Sequence, residues 1–142
     1  MLFVCSMNSV RSPIAAALAR QAFPGRVIAR SVGVNGGKAD QFVHEVMEEV
    51  GIDMSVHTPH ILDELVANRF DLVITLSEDA PEAVARKGLE AGAIEHWSVA
   101  DPSLVEGNRD LVLSAYRDLR DSLRRRVGAR LEPLVSGGSQ SP

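Results

Sequence analysis

Strand-like apolar runs alternate with stretches of helical periodicity along this chain, and that alternation constrains its fold more than any other feature. Met1 to Cys5 is apolar without alternation, the pattern of a strand buried on both faces. Phe70-Asp71-Leu72-Val73-Ile74-Thr75-Leu76 is the clearest strand in the sequence. Val27 to Val34 reads as another, despite Arg30 and Gly33, and Ile94 to Val99 as a short fourth that Asp101-Pro102 closes.

Helical segments separate them. Ser12-Pro13 opens an alanine- and leucine-rich stretch from Ile14 to Phe23, which Pro24-Gly25 ends. Gly36-Gly37 marks a loop. Val43, Val46, Met47 and Val50 then give helical spacing within Asp40 to Val50, and Gly51 stops it. A short helix is expected after Pro59, with Ile61, Leu62, Leu65 and Val66 on one face, and another from about Ser77 to Lys87. The last helix is expected from near Gly107 to about Leu134, on a seam of Val112, Tyr116, Leu119, Leu123, Val127, Leu131 and Leu134.

Strands that alternate with helices imply an α/β fold, a parallel sheet covered on both faces with right-handed crossovers. Ligands in such sheets bind outside the carboxyl ends of the strands. Cys5 and Asp101 each follow a predicted strand end, so residues far apart in sequence can meet on one sheet edge. Ser31 and Gly33 can approach the same place from a neighbouring strand if the strand order allows it. The length of 142 residues fits one domain, 1–135, and the small and polar segment 136–142 is expected to be a disordered tail.

Charge and residue counts exclude several function classes. A net charge of −4 argues against a dedicated nucleic-acid binder, and the Arg124-Arg125-Arg126 run reads as a solvated helix face. No apolar stretch approaches the roughly 18–20 residues that cross a bilayer, so no membrane partner is expected. Without a basic n-region or an apolar h-region at its start, the chain is expected to be cytoplasmic. A single cysteine excludes an intrachain disulfide and a thiolate-rich metal site. His44, His57, His60 and His96 have no spacing that makes a metal site, and no cofactor is implied. His57 and His60 frame Pro59 and read as surface residues or a pocket rim. Asp71 and Asp79 read as structural, Asp79 as a helix cap.

The chemistry-bearing segment is Val4-Cys5-Ser6-Met7-Asn8-Ser9-Val10-Arg11-Ser12-Pro13: a strand, a cysteine, five residues, an arginine, a serine and a helix. The residues Ser6, Met7, Asn8, Ser9 and Val10 can curl so that backbone N–H groups surround an anion, and the helix from Ser12 adds unpaired N–H groups and the positive end of its dipole. A cysteine at such a place is favoured as the thiolate nucleophile. Arg11 can hold two oxygens of a tetrahedral oxyanion through its planar fork. Ser12 can either cap the helix or donate to the Cys5 thiolate, and Asn8 can order the loop or adopt a left-handed conformation.

This segment resembles the signature loop of the low-molecular-weight protein-tyrosine phosphatase superfamily, which also contains the thioredoxin-coupled arsenate reductases. The likeness extends over nearly the whole chain, through the Phe70 to Leu76 strand to Asp101-Pro102 and a long closing helix. It implies a three-layer sandwich around a four-stranded parallel sheet of strand order 2-1-3-4. It also implies Cys5 as nucleophile, Arg11 as oxyanion ligand and Asp101, before Pro102, as general acid. Ser12 then stabilises the thiolate, Asn8 orders the loop, and Ser6 to Ser12 bind the substrate. The family more often has glycine where this chain has Met7.

His96-Trp97-Ser98-Val99-Ala100-Asp101-Pro102 and Asp53-Met54-Ser55 are similar to the arsenate-reductase branch. Its two resolving cysteines, however, fall on Ser77 and Val84, so a relay of three thiols is impossible with the one present. The phosphatase branch commonly places tyrosines after Asp-Pro, where this chain has Ser103-Leu104. Tyr116 reads as packed in the last helix, and Trp97 as either a rim or a core residue. The reading that follows is hydrolysis of a phosphomonoester, protein phosphotyrosine or a similar aryl phosphate, through a cysteinyl-phosphate. Arsenate reduction with an external small thiol is one alternative. An oxyanion- or phosphoprotein-binding regulator with little turnover is the other. The expected partner is accordingly a phosphoprotein or a small oxyanion.

Overall fold

The computed structural model describes residues 1–139 in backbone and 1–135 in side chain. Its strands are β1 (Leu2–Cys5), β2 (Arg30–Gly33), β3 (Arg69–Thr75) and β4 (Glu90–His96). Helices α1 (Arg11–Ala22), α2 (Gln41–Glu48), α3 (Ala80–Lys87) and α4 (Arg109–Ser139) connect and follow them. The strands form one parallel sheet in the order β2-β1-β3-β4, as expected.

The continuous burial of β1 has a simple cause. Phe3 and Cys5 face a core shared with α1, α2 and α4, while Leu2 and Val4 face a second core built with α3, Leu62 and Leu65. Strand β3 divides its side chains in the same way, with Leu72 and Ile74 in the first core and Phe70 and Val73 in the second. Both faces are dry along β1 and over the last four residues of β3, so those stretches show no alternation, while Arg69 and Asp71 at the start of β3 are exposed. Helix α1 has every residue from Ser12 to Ala19 buried. Its alanines let it lie close between the sheet and α4, and they leave it without an amphipathic stripe.

Several boundaries differ from the sequence reading. Strand β2 starts only at Arg30, and Ile28 before it is exposed. The helix expected after Pro59 is a single 3₁₀ turn, Leu62–Glu64, whose Leu62 and Leu65 are buried while Val66 is 96% exposed. Strand β4 occupies Glu90–His96 rather than Ile94–Val99. It is an edge strand of small residues, and a Cβ on Gly92 would sit 2.7 Å from the Asp71 carbonyl oxygen. The closing-helix seam is buried at Tyr116, Leu119, Leu123, Val127 and Leu131, with Leu113 added and Leu134 exposed. Helix α4 continues through residues 136–139 of the segment expected as a tail, and residues 140–142 lie outside the described residues. None of the described helices is long and apolar enough to cross a membrane.

Polar contacts then fix α2 against α4. Arg120 is buried, and it donates to the Val46 carbonyl at 2.8 Å and to Glu49 at 2.7 Å, at the carboxyl end of α2. Arg117 grips the same Glu49 carboxylate through Nε and Nη2. Hydrogen bonds from Arg117 and then Arg120 hold the Glu49 carboxyl at about 2, below its ordinary value of 4.5. Because the folded value is the lower one, the stabilisation is complete above about pH 4.5 and is lost as pH falls toward about 2. Glu49→Gln should flatten that limb of the acid-unfolding curve, followed by circular dichroism. The difference from the parent should shrink with added salt, since the clamp is partly exposed.

Candidate active site

The loop between β1 and α1 leads from a central strand to the buried helix, and its conformation rests on Asn8. That residue is fully buried and has a φ of +52°, a left-handed backbone that asparagine tolerates better than most residues. Its amide is used at both ends. Nδ2 donates to Ser12 Oγ at 2.9 Å, and Oδ1 accepts from the His60 backbone N–H at 2.9 Å. The His57 ring Nε2 lies 3.0 Å from the Asn8 carbonyl oxygen. Strand β2 presses on the same turn: a Cβ on Gly33 would stand 2.7 Å from Asn8 N and from the Met7 carbonyl carbon. Gly33, anticipated as a residue that can approach the loop, therefore touches it.

Ser12 resolves toward the cysteine. The N-cap of α1 is Val10, without a side-chain capping bond, and Ser12 Oγ lies 2.9 Å from Cys5 Sγ. Since Asn8 donates to Ser12 Oγ, the hydroxyl proton of Ser12 has two acceptors within reach, the sulfur at 2.9 Å and the more distant Val32 carbonyl at 3.4 Å. A thiolate at Cys5 accepts it. Among the described residues, no protein group accepts a hydrogen bond from the backbone N–H groups of Ser6 to Val10. Those donors are available to an oxyanion, as an anion nest requires.

Arg11 is held by the sheet edge. Its Nη1 donates to the Leu76 and Val99 carbonyls at 3.3 Å each, beyond the ends of β3 and β4. Nη2 lies 3.8 Å from Asp101 Oδ2. Asp101 has its other oxygen engaged, because Oδ1 accepts from the Ser103 N–H at 2.9 Å and the Ser103 hydroxyl at 2.6 Å. Cys5, Arg11 and Asp101 all line one cleft of about 300 Å³, together with Ser6, Met7, Ser9, Val10, Gly37, Lys38, Ala39, Asp40 and Ser103. Asn8 and Ser12 sit beneath the cleft as its support. Among the described residues, no group of His, Cys, Asp and Glu is placed to hold a metal ion.

Other candidates resolve differently. Asp79 makes no side-chain cap to α3. Its Oδ1 instead accepts from Ser6 at 2.8 Å and Ser77 at 2.6 Å, which ties the loop to the end of β3. Burial opposes the Asp79 charge, but the Ser77 and Ser6 hydroxyls and the nearby Arg11 charge outweigh it and hold the carboxyl below its ordinary range. Trp97 is a core residue, edge-on to Phe3 and covered by the Arg126 guanidinium. The sequence reading missed Asp40, whose Oδ1 caps α2 and whose Oδ2 accepts from Tyr116 at 2.7 Å. Burial and then Asp40 push the Tyr116 hydroxyl up, which keeps it a donor. Gly36-Gly37 carried a usable signal, since paired glycines permit close backbone approach as well as a loop.

The family model for low molecular weight phosphotyrosine protein phosphatase matches residues 1–136. The chain belongs to this family. An arsenate reductase of Bacillus subtilis is 30% identical over 136 residues, covering 96% of this chain and 94% of its own. A probable low molecular weight protein-tyrosine-phosphatase, EpsP, of Ralstonia nicotianae is 32% identical over 137 residues, covering 90% of each. The solved structure of an arsenate reductase in the phosphate-binding state superposes with a TM-score of 0.75 at 27% identity, over 96% of this chain and 95% of that one. The protein is thus an enzyme of a family whose members act on phosphate or arsenate oxyanions.

Gly33→Ala should disturb the loop at Met7 and Asn8 and cost at least about tenfold in phosphate affinity, because a misplaced nest loses several charge-assisted hydrogen bonds at once. Phosphate protection of Cys5 from alkylation measures this, with circular dichroism to check that the sheet persists.

Proposed function

We propose that this enzyme hydrolyses a phosphomonoester, protein phosphotyrosine or a similar aryl phosphate, through a cysteinyl-phosphate on Cys5. The observation that carries the proposal is the meeting of Cys5, Arg11 and Asp101 in one cleft, with Ser12 Oγ 2.9 Å from the sulfur. In the first step the Cys5 thiolate attacks phosphorus and the bond from phosphorus to the leaving oxygen breaks. The loop N–H groups and the free edge of Arg11 stabilise the equatorial oxygens. Asp101 gives its proton to the leaving oxygen through Oδ2, the oxygen that Ser103 leaves unengaged. In the second step the Asp101 carboxylate takes a proton from water, the water oxygen bonds to phosphorus, and the sulfur leaves as thiolate with release of phosphate.

Arsenate reduction with an external small thiol is the second reading, favoured by the likeness to arsenate reductases. An internal relay has no support, because Ser77 is buried at the position of the first resolving cysteine and donates to Asp79. A thiol from outside would have to attack the Cys5–arsenate adduct, forming a mixed disulfide as arsenic is reduced and leaves.

Cys5→Ser should abolish hydrolysis of a small aryl phosphate while phosphate still binds; unchanged turnover would exclude the nucleophile. Asp101→Asn should slow the reaction about 10²- to 10⁴-fold with a poor leaving group and far less with an activated one. Assays of phosphotyrosyl-peptide hydrolysis and of arsenate reduction with glutathione, run side by side, separate the two readings. Arsenate reduction without phosphatase turnover would overturn the first.

A further inference from the structure

The cleft holds a second cation that the chemistry at Cys5 does not use. Lys38 lines its wall between two fixed points. On one side, a Cβ on Gly37 would lie 2.6 Å from the Met7 carbonyl oxygen and 2.6 Å from Ser9 Oγ, so this backbone rests directly on the oxyanion loop. On the other, Asp40 is locked as the N-cap of α2 and as the acceptor of Tyr116. The Lys38 backbone is therefore held at the rim, while its side chain is exposed.

The nearby carboxylates are already engaged. Asp40 serves two backbone N–H groups and a phenol, and Asp101 serves Ser103 and faces Arg11. Among the described residues Lys38 has neither a hydrogen bond nor an ion pair, unlike Arg11. No aromatic side chain lines the cleft, so ring stacking by the lining residues offers no basis for selection there. A spare ammonium beside a loop with unpaired N–H donors is placed to attract additional negative charge on a substrate.

We propose that Lys38 selects phosphomonoesters that carry a second negative charge next to the phosphate. The inference rests on the phosphomonoester reading above and names its substrate class. In a peptide that charge is a glutamate or aspartate beside the phosphorylated residue; in a small substrate it is a carboxylate near the phosphate.

The test uses phosphotyrosyl peptides flanked by Glu, by Gln or by Lys, and an aryl phosphate with and without a ring carboxylate, at low ionic strength. The full-length protein should prefer the Glu peptide to the Gln peptide by about three- to fivefold in kcat/KM, the scale of one partly exposed ion pair. Lys38→Ala should remove the preference, and Lys38→Glu should reverse it toward the Lys peptide, an inversion that a merely structural role cannot produce. A preference confined to the peptides identifies a protein substrate, and one shared by the aryl phosphates identifies a small one. Both support the assignment. Equal rates on the Glu and Gln peptides and on the two aryl phosphates, or a preference that Lys38→Ala leaves intact, overturn it. The same peptides titrated onto the Cys5→Ser variant, with and without Lys38→Ala, read charge selection without turnover. Selective binding without hydrolysis by the parent would keep the Lys38 assignment and reject the hydrolytic reading.

Discussion

Asn8 has no exposure, a left-handed backbone and an amide engaged at both ends, and the site depends on it. A buried amide with one end unsatisfied costs about 1–3 kcal/mol, so its neighbours are constrained as strongly as it is. Ser12 must sit where Nδ2 can reach it, and the 57–60 segment must run beside the end of β2. Gly33 must have no side chain, because the loop backbone fills the space where a Cβ would be. From these conditions comes the position of Ser12 Oγ, 2.9 Å from the Cys5 sulfur, and with it the environment of that sulfur. The chemistry at the surface is thus set by a neutral hydrogen-bond network one layer below it.

The rest of the site is assembled by the ends of strands. Arg11 starts α1, yet its guanidinium is tethered to carbonyls beyond β3 and beyond β4. Asp101 comes from the segment after β4, and Asp79 from the segment after β3 ties Ser6 to the same edge. A parallel sheet places all these carboxyl ends on one side, which is why residues nearly a hundred positions apart share a cleft. The opposed cores hold that edge steady, since every side chain of β1 is packed on one face or the other.

Much of this was legible in the residues. The unbroken burial of Leu2 to Cys5, the Phe70 to Leu76 strand and the step from Cys5 through Arg11 to Ser12 required no tertiary knowledge, and the expected strand order agrees with the fold. The misreadings have physical causes. Ile61, Leu62, Leu65 and Val66 fit a helical face over too few residues to distinguish one 3₁₀ turn from a helix. Strand β4 begins with Glu90, Ala91, Gly92 and Ala93, which carry little strand propensity, and it forms because an edge beside β3 was open to pairing. Trp97 went either way because an indole serves a rim or a core equally well on composition alone. Asp40 and Asp79 were invisible as site residues because their roles depend on partners 76 and 73 positions away, which only the fold brings near.

Ser103 has a consequence for symmetry. An isolated carboxyl group can take up and deliver its proton through either oxygen. By gripping Oδ1 of Asp101 with both its backbone N–H and its hydroxyl, Ser103 makes the two oxygens chemically distinct and stops the group from acting as a twofold rotor. The acid has a handedness before any substrate arrives.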